Sequence, residues 1–291
     1  MAVLRILGKG AARAATSYKL ILLMWVITLV MILFVALPLK SFLNHLFGNS
    51  MAVERLAGGF DLGLAGDLGK PFVNLISAVS SGGVLLLLAG IFLYTFFAGG
   101  LFASYTTAWG SLRINAFIRE SARNFLPFLM IILLVMVIIA AYTFLIVGIP
   151  MIVIMSISEG STPGSNIMYL FYALWALGMP VWLFVADASR RWVAATGSGK
   201  VFMALGAGFR ALKEQFWVSY VIVLVILILN VIFIFLSLWF TIWSVPDKGG
   251  MVFLFFLATQ TLFILRLFMK AWRYASVCEK TAIPEKYSNT K

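Results

Sequence analysis

The chain has 291 residues, 63% of them apolar and 11% charged, and a formal charge of +12. A soluble domain is about 45–50% apolar and about 25% charged, so too few polar side chains are present to cover a water-soluble surface. With one histidine, His45, and one cysteine, Cys278, an intramolecular disulfide and a four-ligand zinc site are excluded, and His-dependent catalysis would rest on His45 alone.

In chain order, six apolar runs match the roughly 20 residues that cross a bilayer: residues 20–39, 83–105, 126–150, 167–186, 217–243 and 251–272. They predict an all-α polytopic membrane protein, a single transmembrane domain over 1–291 whose six helices form three hairpins. The first run follows Arg5, Lys9, Arg13 and Lys19, as a signal peptide would. It is longer than the roughly 7–15 residues of a signal core and no A-x-A site follows, so a retained helix is expected.

Each hairpin is preceded by a short basic segment rich in small residues: GKGAARAATSYKLILL, RINAFIRESARNFLPFL and ALGAGFRALKEQFWVSY. In the second, Ile114, Phe117, Ile118 and Ser121 share one helical face; in the third, Phe202, Leu205, Phe209 and Leu212 do. An apolar stripe opposite cations predicts amphipathic helices lying at the membrane interface. The third segment follows GSGK, which fails as a phosphate-binding loop because Ala194 and Val201 occupy the positions of the first glycine and the Mg²⁺-binding hydroxyl. It is read as a flexible turn before an elbow helix.

The outer connections are unequal. Two are short turns, at Glu159–Gly164 and Pro246–Gly250, whereas the first runs over residues 40–82. Long unstructured loops are uncommon unless functional or disordered. Ser50, Glu54, Gly59, Phe60 and Asp61 within it are candidate recognition residues for a protein partner.

Inside the spans the polar residues are few. Asp187, Arg190 and Arg191 close the fourth run at i, i+3 and i+4, a spacing at which helix side chains meet; they are candidates for a lipid-headgroup contact or an interfacial ion pair. Asn230 and Gln260 fall at similar depth in the fifth and sixth runs, as helix glue or a polar path. Gly178 and Pro180 make the fourth run the best candidate for a broken, substrate-binding helix. No carboxylate sits deep in a run, as ion-coupled transport generally requires.

Eighteen of the 22 Lys and Arg flank the runs on one side, leaving Lys40, Arg55, Lys70 and Lys248 on the other. Loops with the Lys/Arg excess stay in the cytoplasm, so both termini are expected there, with the surplus charge meeting membrane lipids rather than nucleic acid.

The stretch ALPLKSFLNHLFGNSMAVERLAGGFDLGLAGDL, with FFAGGLFASY in the second run, resembles a group of bacterial six-span membrane proteins. More distantly, the elbow-and-span layout is similar to the membrane domain of bacterial glycerophosphodiester phosphodiesterases, whose catalytic domain has no counterpart here. The resemblance implies a multi-pass protein of the bacterial inner membrane and carries no activity. The sequence is therefore expected to encode a non-enzymatic scaffold or partner subunit without cofactor or metal, or alternatively a permease or lipid translocator.

Overall fold

A computed structural model describes residues 2–47, 70–106, 114–157, 165–243 and 249–281. The described residues are helical almost throughout: α1 (Ala2–Thr16), α2 (Tyr18–Phe47), α3 (Lys70–Thr106), α4 (Ile114–Thr143), a π-helical turn (Phe144–Gly148), α5 (Ile149–Ile157), α6 (Ser165–Thr196), α7 (Val201–Glu214), α8 (Phe216–Trp243) and α9 (Gly249–Lys280). Six helical stretches are long and apolar enough to cross a membrane: Tyr18–Phe42, Val79–Thr106, Ile114–Ser156, Ile167–Thr196, Phe216–Trp243 and Gly250–Lys280. The protein is an all-α, multi-pass membrane protein.

Each expected span lies within an observed helix, and the helices reach further. α2 continues to Phe47 and α3 begins at Lys70, so both flanks of the segment read as an outer loop are helical. The candidates Ser50, Glu54, Gly59, Phe60 and Asp61 lie outside the described residues.

Contacts divide the chain into two compact units, Leu23–Tyr94 and Met1–Leu22 with Thr95–Lys291. In the first, α2 and the early part of α3 approach where Gly82 faces Val35, whose Cγ1 would lie 3.4 Å from an added Cβ. The second holds most of the tightly packed interior. Its core is the basic end of the helices, where Phe97, Phe102, Phe117, Phe128 and Phe184 are fully buried. The opposite halves of its helices expose Leu133, Val137, Phe235, Trp243, Phe253 and Leu254, faces that a lipid environment satisfies.

The first and third basic segments form separate helices, broken from their spans at Ser17 and Gln215. The second does not: Arg119 to Phe125 run straight into the span as one helix through Pro127. The missing Pro127 N–H is tolerated because Ser121, Asn124 and Phe128 are buried on this turn, and Gly99 and Gly100 of α3 let the two backbones close. An added Cβ at Gly99 would lie 3.2 Å from Ser121 Cα, and one at Gly100 would overlap the Phe117 ring.

In α7 the apolar stripe is divided. Leu205 and Leu212 are buried with Ala204 and Gly208, while Phe202 is 79% and Phe209 41% exposed. Small residues decide this face: α7 packs chiefly on α6, and a Cβ on Gly208 would lie 2.7 Å from the Val185 carbonyl. The bulky phenyl rings are left about a quarter turn away on the wheel.

α1 docks in the same way on α9. Leu7, Gly10 and Ala14 face inward, and Trp272 Nε1 donates to the Leu7 carbonyl at 2.9 Å. Glu279 pairs with Lys9 at 3.0 Å and Arg13 at 3.3 Å. A Cβ on Gly10 would meet the Ser276 backbone at 3.0 Å, so Gly10→Val is expected to lift α1 and raise its amide exchange to that of an undocked helix. Glu279→Gln removes only half-exposed ion pairs of the kind worth about 0–1 kcal/mol. It should change exchange little; a larger effect from Glu279→Gln than from Gly10→Val would reverse this account of docking.

Candidate functional site

The charged residues that close α6 are not at an exposed helix end. Asp187 is 0% exposed, and Arg190 and Arg191 are each 8% exposed. One helical turn brings Arg190 Nη1 to Asp187 Oδ1 at 2.9 Å, and the other carboxylate oxygen meets Arg273 Nε of α9 at 2.8 Å. A single carboxylate thus joins two helices distant in sequence. The expected pairing within α6 is present, but it is buried and is shared with a residue that spacing along α6 could not indicate.

On α9, Arg266, Lys270 and Arg273 repeat at i, i+4 and i+7 and so lie along one face. Lys270 is within electrostatic range of Arg190, Arg266, Arg273 and Asp187. Exposure falls along this row: Arg266 is exposed, Lys270 half-buried, and the Arg273 side chain 16% exposed. The row was legible in the sequence as a periodic set of cations, but its partner on α6 was not. The Arg273 guanidinium lies 5.2 Å from the Tyr274 ring centroid, and that ring is 4.7 Å from Phe102, itself 5.8 Å from Phe128. An aromatic floor of this kind excludes water beneath the charges and strengthens their interactions.

The remaining carboxylates of the described helices are engaged elsewhere. Glu120 pairs with Arg119 and with Arg123, Glu279 with Lys9 and Arg13, and Glu214 lies near Lys280. Cys278 is a buried free thiol. Among the described residues no group of three or more His, Cys, Asp or Glu is placed to hold a metal ion. What the cluster can do is bind an oxyanion, since guanidinium forks match phosphate and carboxylate geometry.

A second polar group lies nearer the middle of the spans. α6 is continuous through Gly178 and Pro180, so the expectation of a broken helix is corrected. Tyr142 Oη donates to the Leu174 carbonyl at 3.0 Å and Tyr220 Oη to the Leu177 carbonyl at 2.8 Å. Gly178 is the seat of the Tyr142 hydroxyl, which an added Cβ would overlap. Side-chain donors of this kind are how spanning helices tolerate proline. Trp175 Nε1 donates to Thr143 Oγ1 at 2.9 Å, next to the π-helical turn where the Ile149 N–H bonds the Phe144 carbonyl. Asn230 and Gln260 are half-buried on α8 and α9, helices that pack together.

Comparison with models of known protein families, with curated proteins and with solved structures finds no match to the chain.

Proposed function

We propose that the protein is a non-enzymatic, lipid-associated scaffold or partner subunit of a bacterial inner membrane, with the basic end and both termini in the cytoplasm. The observation that carries this reading is the carboxylate of Asp187, bonded at once to Arg190 and Arg273 inside the packed basic end. A group held from both sides in a core is suited to locking two spans together rather than to carrying an ion or proton between the faces. Surplus cations on the same end suit anionic headgroups, each contributing about 1 kcal/mol near the surface.

The recognition surface in this reading is the connection between α2 and α3, with Ser50, Glu54, Gly59, Phe60 and Asp61. The resemblance to bacterial six-span membrane proteins supports the location and adds no activity. A translocator is the second reading, favoured by one observation: the π-helical turn packs against α6, which contains Pro180. Such irregularities in spanning helices often mark moving or functional segments.

Photocrosslinking in native membranes from a photoreactive residue at Phe60 separates the two. The scaffold reading expects one reproducible protein partner, lost on changing Glu54 and Asp61. Capture of lipid alone, together with lipid flux in liposomes, would replace it with translocation.

A further inference from the structure

The charge balance between α6 and α9 is incomplete. Asp187 stands against Arg190, Arg191, Lys270 and Arg273, and among the described residues no second carboxylate reaches them. The Nε atoms of Arg190 and Arg191, both in side chains more than nine-tenths buried, have no hydrogen-bond partner among the described residues. Buried guanidinium groups without a counter-charge are strongly destabilising, so an anion that supplies the missing acceptors would stabilise this fold.

We propose that Arg190, Lys270 and Arg273, entered past Arg266, bind a phosphoryl group. Phosphate oxygens accept forked hydrogen bonds from arginine and a point charge from lysine, and basic pockets between spans on the cytoplasmic side hold anionic headgroups. The row Arg266, Lys270, Arg273 spans about 10 Å of helix and leads from the surface into the core. Its mouth is flanked by the exposed apolar side chain of Leu265, which suits a headgroup whose acyl chains remain outside. A free phosphate or phosphomonoester offers the same chemistry. Asp187 competes with the anion for the same two guanidinium groups. The inference rests on the lipid association proposed above and is independent of the scaffold role.

The test uses the full chain in neutral detergent, titrated with inorganic phosphate against chloride while thermal stability is followed. In parallel, native mass spectrometry counts lipid retained from nanodiscs of phosphatidylglycerol or of phosphatidylcholine. Lys270→Gln and Arg273→Gln are expected to weaken binding about tenfold, the size of one charge-assisted hydrogen bond. Asp187→Asn should bind about tenfold more tightly while being less stable without ligand. A residue that only holds the fold together would not move stability and affinity in opposite directions. Because Lys270 is half-buried, its variant serves where Arg273→Gln fails to fold.

Retention of phosphatidylglycerol without a phosphate response identifies a lipid headgroup, and a phosphate response alone identifies a soluble ligand; either supports the site. Stability and retention that are the same with phosphate as with chloride, and with phosphatidylglycerol as with phosphatidylcholine, would overturn it. So would variants that change stability but leave affinity unchanged. Loss of the partner captured at Phe60 would leave the site standing and remove only the scaffold role.

Discussion

Asp187→Ala is expected to destabilise the folded protein by about 3–5 kcal/mol, the usual consequence of removing one partner from a buried ion pair. The carboxylate is completely buried and is bonded through both oxygens, to Arg190 and to Arg273. Its loss leaves both guanidinium groups, and that of Arg191, in a water-poor setting walled by Phe102 and Tyr274. Steric trapping or SDS titration in bilayer-like detergent measures the difference. Arg273→Met in the Asp187→Ala background should cost less than the two changes summed, because the pair then disappears together. Additive effects, or a single-variant loss below about 1 kcal/mol, the range of exposed pairs, would mean that the carboxylate is not carrying the contact between α6 and α9.

Phe117→Ala is expected to cost about 3–5 kcal/mol, as for a large aromatic removed from a packed site. The ring is fully buried, stacks 6.4 Å from Phe97 and lies directly over Gly100 of α3. In a membrane protein this energy comes from packing more than from water exclusion, since lipid tails are as apolar as the side chain. The same contact predicts that Gly100→Leu alone overpacks, costing about 1–3 kcal/mol. Combined with Phe117→Ala it should recover part of the loss, because the new side chain occupies the space left by the ring. Unfolding of the four variants in one detergent closes the cycle. A double variant worse than the sum of its parts would show that the two residues do not share that space.

The spans were legible because a run of about 20 apolar residues has few other physical solutions. The separate elbow helices α1 and α7 were legible from their one-sided stripes. Their docking was not, since Gly10 and Gly208, which set the closest approach, carry no hydropathy signal. The second elbow was misleading for a related reason. Its amphipathic face continues without a break because Ser121, Asn124 and Phe128 pack on through Pro127. At the candidate site, spacing within one helix brought Asp187, Arg190 and Arg191 together. Arg273 had to come from another helix, and a period of 3.6 says nothing about which helix lies opposite. Gly178 and Pro180 carried the usual signs of a broken helix. The hydroxyls of Tyr142 and Tyr220, which satisfy carbonyls on that turn, are distant in sequence and gave no local warning.

The account stands on a packed basic end that holds lipid and does not open. Determining the structure of the full chain by electron cryomicroscopy in phosphatidylglycerol nanodiscs tests this most directly. The expected result is an intact Asp187–Arg273 contact with phosphate density against Arg190 and Arg273, and dry packing around Gly178, Asn230 and Gln260. A continuous water-filled path past those three residues, with α6 and α9 separated at Asp187, would contradict it and establish the translocator in its place.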